Sequence, residues 1–250
     1  MYATDVRHGC TPRTYASDVR HGRALRLVAL QEQARPILPV VHPTTDPLRL
    51  LYLDEALLVI CKPAGLLAVP GLGEAGADSL TTRLQALHAD ARVVHRLDMA
   101  TSGLMVFARG AKAQRALSMA FEARRVRKQY EAVVEGTVTR DVGAIEAPLL
   151  ADWPNRPRQQ VDAQHGKPSL TRWLVLQREA TTTRLALTPI TGRTHQLRVH
   201  LQYIGHPIRG DALYAPPPLN AQRLLLHATQ LAFAHPMHGT ALSFSSPAPF

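Results

Sequence analysis

The segment Val94-His95-Arg96-Leu97-Asp98-Met99-Ala100-Thr101-Ser102-Gly103 sets one carboxylate, Asp98, between a β-rich run and a Ser-Gly turn. Arg96 stands two residues before it. A carboxylate in such a place can act as a base or a nucleophile. It can equally cap a turn by accepting backbone hydrogen bonds, and this segment alone favours the cap. Three further segments change the balance. Lys62-Pro63-Ala64-Gly65-Leu66 is a stiff extended turn. Arg127-Lys128-Gln129-Tyr130 starts a strand with a tyrosine among cations. Gly192-Arg193-Thr194-His195-Gln196-Leu197-Arg198-Val199-His200 starts a helix with several donors, and the text continues into Gly205-His206-Pro207-Ile208-Arg209-Gly210-Asp211-Ala212-Leu213-Tyr214.

Two other patterns tempt and are set aside. Gly71-Leu-Gly73-Glu-Ala-Gly76 matches GxGxxG. A dinucleotide site needs those glycines between a strand and a helix start, where the helix dipole meets the pyrophosphate. Here Pro70 precedes the run, acidic Glu74 sits inside it, and no βαβ context surrounds it, so a surface loop is the reading. His195, His200, His206 and Asp211 crowd into seventeen residues. None has HExxH or paired i, i+4 ligand spacing, and no cysteine is near. Polar or base-contacting histidines are expected there, and no metal.

The elements that must position these residues follow from periodicity. Arg49–Leu53, Ala56–Cys61, Leu104–Ala108, Gln129–Glu135, Thr171–Gln177 and Arg184–Ile190 read as strands. Leu224–Ala234 and Thr240–Ser245 read as a hairpin around His238-Gly239. Ser79–Ala89, capped by Asp78 or Ser79, Ala111–Arg125 and Thr194–Ile204 read as helices. Strands outnumber helices and often follow one another directly. An α+β fold is therefore expected, with a mixed, mainly antiparallel central sheet and flanking helices. Residues 1–45 differ from the rest. They carry an eight-residue repeat, YATDVRHG then YASDVRHG, and prolines from Pro36 onward. They are expected to be a flexible basic extension with a short helix near 24–34, and 46–250 a single catalytic domain.

The 250 residues suffice for a real core, and an AVILMFWYC content of 46% argues against wholesale disorder. No apolar stretch is long enough to span a membrane and no secretory signal opens the chain, so a cytoplasmic protein is expected. The net charge is +10. It is not spread evenly. Residues 92–128 hold nine cations against two acids, and 151–209 hold nine against three. Two basic segments that fold together would make a phosphate-binding patch. Charge alone leaves a solvated basic surface equally open.

Taken in order and spacing, HRLDMATSG, RKQYEAVVEG, GRTHQLRVHL and GHPIRGDALY resemble the RluA-type pseudouridine synthases, over about residues 48–250. Pro148–Pro157 resembles more narrowly the dual-specificity branch, which acts on rRNA and tRNA. Cys61 departs from the asparagine usual before Lys-Pro. The resemblance implies isomerisation of selected uridines in RNA stem-loops by a monomer, without cofactor or metal. It implies a loop uridine of large-subunit rRNA and the first anticodon-loop uridine of certain tRNAs as targets.

By resemblance Asp98 is the essential carboxylate, Arg198 its ion-pair partner, and Tyr130 the aromatic that packs on the target base. A buried strand aromatic is the plain alternative for Tyr130. Arg96 is implied to fill the space of the flipped uridine, with a phosphate contact as alternative. Lys128, Arg156, Arg158, Arg193 and His195 are candidate RNA contacts. Ile190 and Leu197 are candidates for the base pocket, or ordinary core. Two rivals stand beside this reading: an RNA-binding protein without catalysis, and a dinucleotide-dependent enzyme resting on the glycine run.

Overall fold

The computed structural model describes residues 48–73 and 76–250. The expected N-terminal extension and its short helix lie outside the described residues. The strands β1 (Arg49–Leu53), β2 (Leu57–Lys62), β3 (Ala91–Val93), β4 (Ser102–Arg109), β5 (Arg127–Glu135), β6 (Val142–Glu146), β9 (Leu170–Arg178), β10 (Thr182–Pro189), β11 (Leu226–Ala234) and β12 (Ala241–Ser245) form one ten-stranded sheet. Its order is β1-β2-β4-β11-β5-β10-β9-β6, with β3 beside β4 and β12 beside β11. The short strands β7 (Leu149–Ala151) and β8 (Gln159–Val161) make a separate hairpin. Every pairing is antiparallel except β4 with β11. This is the expected α+β architecture.

Three helices cover the sheet: α1 (Leu80–Leu87), α2 (Gly110–Glu122) and α3 (Gln196–Tyr203). Successive residues of a strand point to opposite faces. In β2, Leu57 and Val59 pack with Leu117 of α2, while Leu58 and Ile60 pack with Leu80 and Leu84 of α1. Both faces are thus covered, which is why β2 and β4 read as unbroken apolar runs. A third cluster packs Leu197 and Leu201 of α3 on Ala132, Val134, Leu185 and Leu187 of β5 and β10.

Helix ends show where periodicity misleads. The sequence extends the second helix to Arg125, but it stops at Glu122. Arg124 is left-handed at φ 57, and the Arg125 amide turns back to the Ala120 carbonyl at 2.8 Å. Glycine is the usual residue there, so no stop signal was visible. The third helix starts at Gln196 rather than Thr194, because His195 before it is left-handed at φ 51. At α1 the cap is Ser79, whose side chain accepts from the Thr82 amide at 3.1 Å. Asp78 instead grips Arg83 with both oxygens. The strands β3, β6, β7 and β8 were not anticipated. β3, β7 and β8 have three residues each, too few for a period-2 signal, and in the five-residue β6, VGAIE, glycine and alanine blunt the alternation.

The parallel seam is tight. His227 lies opposite Ser102 and Ala228 opposite Gly103. Gly103 has φ +115, and a Cβ there would sit 2.4 Å from the Ala228 carbonyl oxygen and 2.5 Å from its nitrogen. Gly103→Ala should therefore cost about 2–4 kcal/mol, from backbone strain and overpacking together. A thermal or urea melt matching the wild type would refute this. Next to it, the buried His227 ring bonds Ser102 Oγ and Ser246 Oγ, each at 2.7 Å. Burial, aided by the charge of Arg223, pushes its pKa down from 6.5 to about 4. Between those values the unfolded chain binds a proton on this ring that the folded chain refuses. Stability should then fall as pH drops from 6.5 toward 4, by up to about 1.4 kcal/mol per pH unit from this ring. Melting temperatures across that range should fall less steeply in His227→Gln.

Candidate active site

A cleft of about 1010 Å³ opens along the sheet between the β3–β4 loop, the start of β5 and the segment from the end of β10 into α3. Its lining brings together Asp98, Arg96, Tyr130, Lys128, Ile190, Arg193, His195, Leu197 and Arg198. Arg156 and Arg158 do not join it; they stand on the β7–β8 hairpin beside it.

Asp98 sits on a loop that is tied down on its far side. The Met99 carbonyl accepts the Gly65 amide at 2.8 Å and Lys62 Nζ at 3.0 Å. Lys62 is completely buried and also donates to the carbonyls of Pro63, at 2.8 Å, and Leu66, at 2.7 Å. All three ammonium protons are used. Burial pushes the Lys62 pKa down to about 7 against the opposing charge of Asp98, while Arg223 lowers it further. The Lys-Pro-Ala-Gly turn is therefore a clamp on the loop that presents Asp98. Sequence reasoning noted its stiffness but assigned Lys62 no part.

Arg198 is the hub on the other side. Its Nη1 donates to Asp98 Oδ2 at 3.3 Å. Its Nε and Nη2 fork onto Asp211 at 2.8 and 2.7 Å. Asp211 is fully buried and takes two more bonds, from the amides of Leu213 and Tyr214. The resemblance named Asp98 as the partner of Arg198, and the structure gives the shorter, bidentate contact to Asp211. Burial works against the Arg198 charge, but the Asp211 bonds and then the Asp98 charge hold its pKa raised. Arg198 side-chain exposure is 5% and that of Asp98 is 23%, so the cation is walled in and Asp98 faces the cleft.

His195 is not confined to a surface contact. Its Nε2 lies 3.8 Å from Asp98 Oδ2 and its Nδ1 2.7 Å from the Tyr214 hydroxyl. Burial lowers its pKa despite Asp98, so the ring is neutral at neutral pH. The Tyr214 oxygen already accepts the Gln159 amide at 2.8 Å. When the Tyr214 hydroxyl donates to Nδ1, the neutral ring carries its hydrogen on Nε2, facing Asp98. Tyr130, in β5, lies opposite Ala228 and Leu187 and packs on two core clusters. Burial first, then the Asp98 charge, drive its pKa up, so the phenol stays neutral.

The remaining candidates divide by exposure. Arg96 and Arg193 are exposed. Lys128 is half-buried, which lowers its pKa. Leu197 both lines the cleft and belongs to the core, and Ile190 lines it just beyond β10. The histidine crowd has separate partners: His200 bonds Thr171 and the Ala147 carbonyl, and His206 the Glu135 carbonyl. Among the described residues no group of His, Cys, Asp and Glu is placed to hold a metal ion. The glycine run falls between β2 and α1, but β2 and β3 flank β4 and do not pair with each other, and the N-terminus of α1 is capped by the Ser79 side chain rather than met by the glycines.

Asp211 was the functional neighbour that sequence reasoning missed. In the sequence it stands out only beside the histidines, as a possible metal ligand. Asp211→Asn should destabilise the fold by about 3–5 kcal/mol, because it strips a buried guanidinium of its main counter-charge. The double change Asp211→Asn with Arg198→Met should recover part of that loss in a denaturation experiment. Equal stability of Asp211→Asn and wild type would refute the buried pair.

Comparison with known proteins agrees with this geometry. The sequence pattern of the family described as RNA pseudouridylate synthase matches residues 56–203. A protein of Pasteurella multocida named dual-specificity RNA pseudouridine synthase RluA is 48% identical over 212 residues, covering 83% of this chain and 97% of that one. A protein of the same name from Vibrio cholerae is 49% identical over 198 residues, covering 78% and 81%. The solved structure of human RNA Pseudouridylate Synthase Domain Containing 1 superposes with a TM-score of 0.69 at 27% identity, covering 86% of this chain and 87% of that one. The motifs, the fold around a loop-borne aspartate and these likenesses agree: the chain belongs to the RNA pseudouridylate synthase family, enzymes that convert uridine in RNA to pseudouridine.

Proposed function

We propose that this chain makes pseudouridine in two kinds of RNA: at a loop uridine of large-subunit rRNA and at the first anticodon-loop uridine of certain tRNAs. Relatives at 48–49% identity carry the name dual-specificity RNA pseudouridine synthase, and the stretch 148–157 points the same way. The protein works as a single chain in the cytoplasm.

The observation that carries the reading is a lone carboxylate, Asp98, backed by a buried cation at the floor of a basic cleft. The reaction breaks the N1–C1′ bond, turns the detached base and joins C5 to C1′. C5 gives up a proton and N1 gains one, so no water, cofactor or second carboxylate is consumed. The two-carboxylate plan of a hydrolase is not needed. Of the acids that line the cleft, Glu122 is exposed at the end of α2 and only Asp98 is held by Arg198. Asp98 acts at the sugar through its carboxylate, whether by attack or by proton removal. Arg198 keeps it aimed. Tyr130 packs as a neutral ring against the base, with Ile190 and Leu197 completing an apolar pocket that keeps water away from the cleaved bond.

The target must leave its stack to reach Asp98, which costs a few kcal/mol and least in a loop. Arg96 is exposed on the same loop as Asp98, and its planar guanidinium stacks in the vacated space. Lys128, Arg193 and the hairpin cations take phosphates.

Asp98→Asn should remove detectable pseudouridine formation while leaving the melt and RNA affinity close to wild type; substantial residual turnover would exclude Asp98 as the catalytic group. A minimal anticodon stem-loop should be a competent substrate for the wild type. Modification of rRNA with that stem-loop left untouched would end the dual-specificity reading and leave the family intact.

A further inference from the structure

The β7–β8 hairpin stands apart from the main sheet, and its two ends differ. Its root is pinned. Leu149 is buried with Val199 and Tyr214, and Val161 packs on the same cluster. The Gln159 amide donates to the Tyr214 hydroxyl, and the Arg158 guanidinium lies 5.3 Å from the Tyr214 ring centroid. A chain of contacts through Tyr214 and His195 thus links the hairpin to Asp98.

The tip is open. Trp153, Pro154 and Asn155 form a 3-10 turn, and Trp153 is 64% exposed, the largest aromatic surface among the described residues. A tryptophan is normally well buried, whereas this one is mostly exposed and carries Arg156 on its ring. That guanidinium stacks on the indole 3.3 Å from the ring centroid. The turn itself is braced: Asn155 Nδ2 donates to both Asp152 oxygens at 3.0 Å, and the Arg158 amide to the Asn155 carbonyl at 3.0 Å. Arg156 fills one ring face, so the accessible area is the opposite face and edge. A flat aromatic face fixed in place, backed by a cation and followed by a second arginine, suits a flat, electron-rich, phosphate-bearing ligand. Its polar, cationic surroundings do not suit an apolar partner.

We propose that Trp153 is a stacking platform for an unpaired nucleobase of the substrate loop other than the target uridine, with Arg156 on its back face. Arg158 then meets the phosphate between that base and the cleft. Trp153 is a specificity-determining residue: it holds a loop that has already splayed one base toward Asp98, and a paired helix gives it nothing to stack on. This rests on the reading of RNA stem-loops as substrates.

The test uses emission and kinetics. The chain has two tryptophans, Trp153 and Trp173. In Trp173→Phe, first shown to keep wild-type activity and melting, all indole emission comes from Trp153. Titration with an anticodon stem-loop should quench that emission, whereas a blunt duplex of equal length should not. On the same stem-loop Trp153→Ala should raise KM about ten-fold, the loss typical of one stacked base, with kcat within two-fold of wild type. Trp153→Phe should restore most of the affinity. Equal response to stem-loop and duplex, an unchanged KM, or a loss confined to kcat would overturn the platform. The emission titration needs no turnover. An inactive wild type would thus refute the substrate reading alone, and an active wild type with an indifferent Trp153→Ala would refute the platform alone.

Discussion

One guanidinium is shared by two carboxylates, and the site is organised around that sharing. Arg198 commits two of its nitrogens to the buried Asp211 and spares a third for Asp98. A lone buried cation would be costly, and a lone catalytic carboxylate would be free to turn away. Together they solve both problems, because Asp211 stabilises the charge that then aims Asp98. Asp211 in turn accepts the Leu213 and Tyr214 amides, so the loop after α3 is folded around the same carboxylate. Tyr214 carries the arrangement outward to His195 and to the β7–β8 hairpin. The strength of the unit lies in its geometry, since a paired and fully bonded buried charge contributes little net stability.

The sheet supplies the second constraint. Asp98 lies on a loop and Arg198 on a helix, and their sequence separation is 100 residues. Register brings them together. Ala228 of β11 faces Gly103 of β4 on one side and Tyr130 of β5 on the other. The strand carrying Tyr130 is therefore only one strand removed from the one that receives the Asp98 loop. The glycine at the seam is what lets β4 approach so closely, and the Lys62 clamp holds the loop from behind. Rigid strands on both sides of a loop give a reactive group a fixed place without burying it.

The long apolar strands and the helices were legible because their periodicity spans seven or more residues. Leu80, Leu84 and Leu87 mark α1, and the run from Leu104 marks β4. The strands β3, β7 and β8 were not, since three residues carry no period, and Gly143 and Ala144 blur it in β6. The ends of α2 and the start of α3 were missed for one shared reason: Arg124 and His195 take a left-handed backbone that the residue type does not announce. In the site, Asp98, Tyr130 and Arg198 were visible only through the resemblance of their segments to a family. The residues alone favoured a turn cap for Asp98. Lys62 and Asp211 stood inside the quoted segments, yet their work depends on burial and on partners up to 37 residues away, which no local pattern encodes. Their only signal was a charge within an apolar or turn-rich stretch.

Charge distribution makes sense once the cleft is assembled. Residues 92–128 furnish Arg96, Arg124, Arg127 and Lys128 to its lining, and 151–209 furnish Arg193 and Arg198. The two basic segments line one opening, while the stretches 50–91 and 129–150, each of net charge −3, give that lining only Gln129 and Tyr130. Cations at the rim and inside differ in kind. Arg198 is buried and committed to Asp211 and Asp98, whereas Arg96 and Arg124 are exposed. The rim cations can draw an RNA backbone down without disturbing the charge balance around Asp98. That separation matters for this reaction. Phosphate binding is strong but blind to sequence, and a cation doing both jobs would weaken its hold on Asp98 whenever RNA arrived. Keeping the aiming guanidinium behind a wall lets affinity for RNA vary at the rim while the position of Asp98 stays set from within.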